Sequence, residues 1–148
     1  MSKYTPFTDL NNKGKEIYSN IFSTNYPIIM GILNITNDSF YDGGKYINND
    51  NIILQTKKML EEGANIIDIG AQSSRPGANQ ISSTIETKKL VPIIKLLKNT
   101  FPNIIISVDT FWSNTVKKVV NAGCDIINDI SAGQIDSNMF DTIAECNI

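Results

Sequence analysis

Apolar and polar positions along this chain follow two alternating rhythms. Short aliphatic runs recur at Ile28–Leu33, Asn65–Gly70, Ile104–Asp109 and Asp125–Ile130. Continuous runs of this kind, rich in Ile and Val, predict buried strands rather than half-solvated ones. Helical spacing fills the intervals. Ile52, Ile53, Thr56, Met59 and Leu60 share one helical face, with Asp50 as the expected N-cap and Gly63 as the stop. Ser83-Thr84-Ile85-Glu86 reads as a capping box that opens a second helix, with Pro92 inside it. A third helix is predicted over Ser113–Asn121, with Val116, Val119 and Val120 inward and Gly123 after it. A fourth is predicted from Ser137 to Glu145.

The pattern is β-α four times over, and that alternation implies a parallel sheet. Glu62–Ile69 resembles Asn121–Asn128, which suggests a repeated helix-to-strand unit. Periodicity alone leaves a doubly wound sheet and a (β/α)8 barrel both open; four units are half of the barrel. Two segments carry no apolar period. Ile35–Asn49, with Gly43-Gly44, and Ala71–Ser82, with Arg75-Pro76-Gly77, read as long loops, which in compact domains are usually functional. Residues 1–26 form a polar leader in which Asn12-Lys13-Gly14 is a turn signal for a short hairpin. Residues 27–148 are the α/β domain.

Composition narrows the function. With 13 Lys and Arg against 15 Asp and Glu, the chain lacks the basic excess that nucleic acid or an anionic membrane surface requires. No apolar run is long enough to span a bilayer, and the leader has no signal-peptide core, so a cytoplasmic protein is expected. Two cysteines, Cys124 and Cys146, suit free thiols. Histidine is absent, which excludes a His-based nucleophile triad within these residues and makes a structural zinc site unexpected.

In parallel α/β folds the chemistry lies at the carboxyl ends of the strands. There the chain places Asn34, then Asp68 leading to Ser74-Arg75, then Asp109-Thr110, then Asn128-Asp129. A polar residue closing a strand is more often a turn former or cap than a ligand. Clustering over four successive strands brings the functional reading level with that one, and the site it would form suits a polar, partly anionic ligand. Asn and Asp can read the donor and acceptor edge of a heterocycle. Arg75, beside hydroxyls and glycine, suits phosphate oxygens.

These residues carry a family resemblance. Met30-Gly31-Ile32-Leu33-Asn34-Ile35-Thr36-Asn37-Asp38-Ser39-Phe40-Tyr41-Asp42-Gly43-Gly44 is similar to the first signature of dihydropteroate synthases. Ile67-Asp68-Ile69-Gly70-Ala71-Gln72-Ser73-Ser74-Arg75-Pro76-Gly77-Ala78 is similar to the second. Ser107-Val108-Asp109-Thr110 and Ile126-Ile127-Asn128-Asp129-Ile130-Ser131-Ala132-Gly133 resemble the next two strands.

The resemblance implies the barrel rather than the doubly wound sheet, here as its first four βα units. It implies condensation of 6-hydroxymethyl-7,8-dihydropterin pyrophosphate with p-aminobenzoate to dihydropteroate, a step of folate biosynthesis and a sulfonamide target. Asn34 then resembles the Mg²⁺ ligand, and Asp109 and Asn128 the pterin readers. Ser74 resembles the loop hydroxyl near the pyrophosphate. Arg75 and Pro76 resemble residues near p-aminobenzoate and the leaving group. Asp38 and Phe40 belong to the first loop, with Asp38 placed to stabilise a pterin methylene carbocation. The family also implies a homodimer.

The chain departs from the family at Asn37, where proline is usual, and at Ala71-Gln72, which replaces Gly-Glu and removes a charge. The resemblance further implies a fifth strand after Ile148, and beyond it another Asp, a Lys and an Arg-x-His pair. These 148 residues alone are therefore expected to self-associate and to be a poor enzyme or none. Two other readings compete. A methyltetrahydrofolate methyltransferase domain would share Asp109 and Asn128 but lack the Asp38-Ser39-Phe40 loop. A non-catalytic remnant would keep the sequence without the activity.

Overall fold

A computed structural model describes residues 19, 21, 23, 26–35, 41–42, 46–72 and 80–148. The hairpin expected around Gly14 lies outside them. The main sheet has four parallel strands, β1 (Met30–Asn34), β4 (Ile66–Gly70), β5 (Ile105–Asp109) and β6 (Ile126–Asn128), in the order β1-β4-β5-β6. The order never reverses, which rules out the doubly wound alternative for these strands. Four helices connect or follow them: α1 (Asn49–Glu61), α2 (Ser83–Thr100), α3 (Ser113–Ala122) and α4 (Met139–Cys146). Each helix packs on the next. A sheet built in sequence order with its helices side by side is the arrangement of four consecutive barrel units.

Strand parity explains where the core sits. Leu33, Ile67, Ile69, Ile106 and Val108 point to the helices and meet Ile52, Leu90, Ile93, Ile94, Leu97 and Val119 in one buried cluster. Each such side chain contributes about 1.5–3 kcal/mol relative to exposure. The opposite face carries the other parity. On β1 that face is open: Ile32 is 66% exposed, and Met30 is exposed beside it. The run Ile28–Leu33 predicted burial on both faces, and β1 achieves it on one. β4 is buried throughout.

The helix boundaries differ from expectation for identifiable reasons. Asn48, not Asp50, caps α1, its carbonyl accepting from Asn51 N at 3.1 Å. Ser82, not Ser83, caps α2 through Ile85 N at 3.4 Å, which frees Glu86 from a capping role. The N-cap residue of α3, Trp112, makes no side-chain cap bond; Asp136 supplies one from a distance, accepting from Ser113 N at 2.8 Å. Bonds from Ser113 hold the Asp136 carboxyl below its ordinary pKa. β6 stops at Asn128 because Asp129 accepts from Ser131 N and Gly133 N, both at 2.8 Å, and turns the chain. The stretch Ile35–Asn49, expected as pure loop, contains a short antiparallel pair, β2 (Tyr41–Asp42) with β3 (Tyr46–Ile47).

The internal similarity corresponds to a shared turn. Gly63 (φ +103°) and Gly123 (φ +112°) end α1 and α3 in the left-handed region. Each is followed by the same backbone bond, Ala64 N to Met59 O and Cys124 N to Val119 O.

A buried ion pair ties α2 to the strand edges. Lys98 Nζ donates to Asp125 Oδ2 at 2.5 Å and to Ile104 O at 2.6 Å, while Ile106 N donates to the same carboxylate oxygen at 2.9 Å. The Asp125 side chain is 1% exposed. Removing one partner of such a pair leaves an uncompensated buried charge. We expect Lys98→Met, which keeps the aliphatic stem packed over Gly123, to cost about 3–5 kcal/mol. Urea unfolding at neutral pH measures this; a cost within error of zero would mean that water reaches Asp125.

Candidate active site

The parallel register places four residues in one row across the carboxyl ends of the strands. Asn34 pairs with Gly70, Gly70 with Asp109, and Asp109 with Asn128. The row beneath is Ile32, Asp68, Ser107 and Ile126. Both rows share the parity opposite to the helix-facing aliphatics, so their side chains occupy the face without helices.

Side chains on this face meet between alternate strands. An ideal Cβ on Gly70 would lie 3.2 Å from Asn34 Oδ1 and 3.6 Å from Asp109 Oδ2. Oxygens from β1 and β5 therefore lean together over the bare backbone of β4, and any larger residue at 70 would fill that cradle. One strand further on, Asn128 Nδ2 donates to Asp68 Oδ2 at 3.1 Å, which joins β6 to β4 across β5. Layers drawn from alternate strands are how the interior of a parallel barrel is filled.

The cluster is electrically strained. Burial pushes the Asp109 carboxyl up to about 6, with repulsion from Asp68 and Asp129 adding to the rise. Among the described residues, no group of three His, Cys, Asp or Glu side chains is arranged to hold a metal. The donors that do gather over Gly70 are an amide oxygen and a carboxylate oxygen. These are hard ligands of the kind a water-rich Mg²⁺ takes in ones and twos.

A second network fixes the strand ends from behind. Glu86 is fully buried on α2. Its carboxylate accepts from Gln72 Nε2 at 2.9 Å and from Thr110 Oγ1 at 2.6 Å, fastening the segment after β4 and the residue after β5 to one helix turn. Gln72 Oε1 accepts from Ile81 N at 3.3 Å, and Trp112 Nε1 donates to Ile81 O at 3.1 Å. Burial raises the Glu86 pKa, against the bonds from Thr110 and Gln72. A second carboxylate at 72 would face Glu86 with no proton to share unless one were taken up. The amide donates instead.

A family model described as pterin binding enzyme matches residues 30–148. The chain belongs to the pterin-binding enzyme family. Its relatives in that family include the dihydropteroate synthase of Streptococcus pyogenes serotype M1, 44% identical over 117 residues, or 79% of this chain and 44% of that protein. The folic acid synthesis protein fol1 of Pneumocystis carinii is 45% identical over 120 residues, 81% of this chain and 16% of that protein. Among solved structures, Xanthomonas albilineans dihydropteroate synthase with 4-aminobenzoic acid superposes with a TM-score of 0.73 at 35% identity, covering 82% of this chain and 44% of that one. The Yersinia pestis enzyme in complex with a sulfonamide drug gives 0.70 at 38% identity, covering 81% and 43%. This member of the family spans less than half the length of each of these proteins.

Of the residues expected at the site, Asn34, Asp109 and Asn128 stand together in the upper row. Asp38, Phe40, Ser74, Arg75 and Pro76 lie outside the described residues. Sequence reasoning named Asp68 only as the approach to Ser74-Arg75 and missed its place beside Ser107 in the row beneath, and it missed Glu86 and Gln72 as a clamp behind the strand ends. Parity offered a signal for the first pair, since Asp68 stands two residues before Gly70 and Ser107 two before Asp109. Nothing local offered one for Glu86, whose partners are 14 and 24 residues away.

The raised Asp109 pKa has a stability consequence with a definite sign. Its ordinary value is 3.8 and its folded value about 6, so between these the native state holds more protons than the unfolded chain. Stability attributable to this group is therefore lost as pH rises from 4 to 6 and stays lost above. Asp109→Asn removes the penalty. We expect the variant to be more stable than the parent at pH 7–8 and to lose that advantage below about pH 4. Urea midpoints across this range decide it; a pH-independent difference would show that Asp109 is not strained.

Proposed function

We propose that this chain supplies the pterin-pyrophosphate side of a dihydropteroate synthase, which joins 6-hydroxymethyl-7,8-dihydropterin pyrophosphate to p-aminobenzoate. The observation that carries the reading is the single row Asn34–Gly70–Asp109–Asn128. Asp109 accepts from the amino and N–H groups of the ring, and Asn128 reads the adjacent edge. The glycine between Asn34 and Asp109 leaves the floor open to a flat heterocycle.

Asn34 would hold Mg²⁺, which would neutralise charge on the departing pyrophosphate. In this reading Ser74 and Arg75 contact the pyrophosphate, and Arg75 and Pro76 border the p-aminobenzoate subsite that a sulfonamide would occupy. Asp38 stabilises positive charge on the pterin methylene, and Phe40 covers the subsite. Pyrophosphate departs first with the electron pair of its C–O bond, and the amine of p-aminobenzoate then attacks the methylene cation and releases a proton to water, so no side-chain nucleophile takes part. A homodimer in the cytoplasm completes the proposal, supported by the family resemblance and by the absence of a membrane-crossing helix among the described residues.

The test is calorimetry of this chain with a pterin pyrophosphate and Mg²⁺. Asp109→Ala is expected to abolish binding while the fold persists. Because the acceptor is the ionised carboxylate, affinity for the ring should fall as pH drops through about 6. Asn34→Ala should leave ring binding and weaken only the Mg²⁺-dependent part. Retained affinity in Asp109→Ala would remove the basis of the reading.

A further inference from the structure

The mechanism just described uses Asp109 and Asn128 and leaves Asp68 without a task. Asp68 is 5% exposed and lies in the row beneath, on β4. It reaches across β5 to Asn128 Nδ2 at 3.1 Å, although β4 and β6 are separated by about two strand spacings, roughly 9–10 Å. Ser107 stands on β5 between them, on the same face, and is fully buried. Neither Asp68 Oδ1 nor Ser107 Oγ has a hydrogen-bond partner among the described residues. Asn128 is thus the one described side chain that donates to the Asp68 carboxylate.

An asparagine amide has two chemically opposite ends, and only its surroundings decide which faces a ligand. A carboxylate accepts and cannot donate. It therefore demands the NH₂ end of Asn128, because turning the carbonyl toward it would set oxygen against oxygen in a buried site. The planar amide then carries Oδ1 away from Asp68.

We propose that Asp68 is the positioning residue that fixes the Asn128 amide with its carbonyl toward the pocket, so that the site selects a ring edge bearing a hydrogen-bond donor. The inference rests on the pterin reading and extends it to specificity. Asn128 offers an acceptor beside the Asp109 acceptor, and the two match an amino-substituted edge while rejecting a carbonyl-substituted one. Ser107, which can donate or accept, places no constraint of its own.

Two measurements on the full 148-residue chain separate this from a structural role. The first needs no ligand. The side-chain amide protons of Asn128, followed by nitrogen-15 NMR, should be slowed in solvent exchange in the parent. They should lose that protection in Asp68→Asn, which can accept or donate. The second compares affinity for pterin, which carries an amino group at C2, with lumazine, which carries an oxygen there. The parent should prefer pterin, and Asp68→Asn should cut the preference about tenfold or more by letting the amide turn. The exchanged pair, Asp68→Asn with Asn128→Asp, rebuilds the bond with its ends reversed. It again presents an acceptor, so the preference should return.

Loss of affinity for both rings alike, with the ratio unchanged, overturns the proposal, as does unaltered amide exchange in Asp68→Asn. A failure of the exchanged pair to recover the ratio also counts against it, and that variant serves if the single one does not fold. A parent chain that binds neither ring overturns the pterin reading and the specificity built on it. The amide exchange then still decides whether Asp68 orients Asn128.

Discussion

The two-residue period of a parallel strand is the constraint on which this molecule depends. In β4, Ile67 and Ile69 face the helices while Asp68 and Gly70 face the other way. In β5, Ile106 and Val108 do the same against Ser107 and Asp109. A slip of one residue in either strand would drive carboxylates into the aliphatic cluster and expose the aliphatics. The register that buries the core therefore also aligns the polar row. Core and site are not separate constructions, and substitutions that loosen the packing of Ile69 or Val108 would blur the alignment of Asp109 as well.

That alignment is unfavourable in itself. Burial opposes charge on Asp109 at the end of the sheet, Asp68 and Asp129 repel it further, and its pKa rises accordingly. Structural ion pairs in the same chain are arranged differently: Asp125 has Lys98 and the Ile106 N–H on its carboxylate. The contrast separates a carboxylate kept for stability from one kept despite its cost. Strain of the second kind, held in place by a well-packed core, is what a binding site built to accept donors requires.

Much of this architecture was legible in the sequence because it is local. The four aliphatic runs gave the strands, Gly63 and Gly123 gave the helix ends, and Asn34, Asp109 and Asn128 were found by asking what closes each strand. The errors arose where side chains bond over distance. Glu86 has the spacing of a capping-box residue from Ser83, yet Ser82 takes the cap and Glu86 turns inward to Gln72 and Thr110. Asp136 caps α3 from 23 residues away. Continuous hydrophobicity in β1 also misled, since it cannot tell a face covered by helices from one facing the interior of a barrel. Ile32 belongs to the second kind.

Among the described residues, two buried carboxylates are met by an amide, and the two amides differ in what their other end does. Glu86 takes the NH₂ end of Gln72, and the Gln72 carbonyl, turned away by the same planar geometry, accepts from Ile81 N. That second contact draws together the chain on either side of residues 73–79. Asp68 takes the NH₂ end of Asn128 in the same manner. There, in the orientation proposed above, the carbonyl faces the row that holds Asp109. In the first case both ends of the amide serve the scaffold. In the second, one end serves the scaffold and the other is held out as an acceptor, with its identity dictated by a carboxylate a ligand would not need to touch. A residue one layer below a binding site can thus decide what the site recognises, because an amide can be locked at one end only by choosing the chemistry of the other.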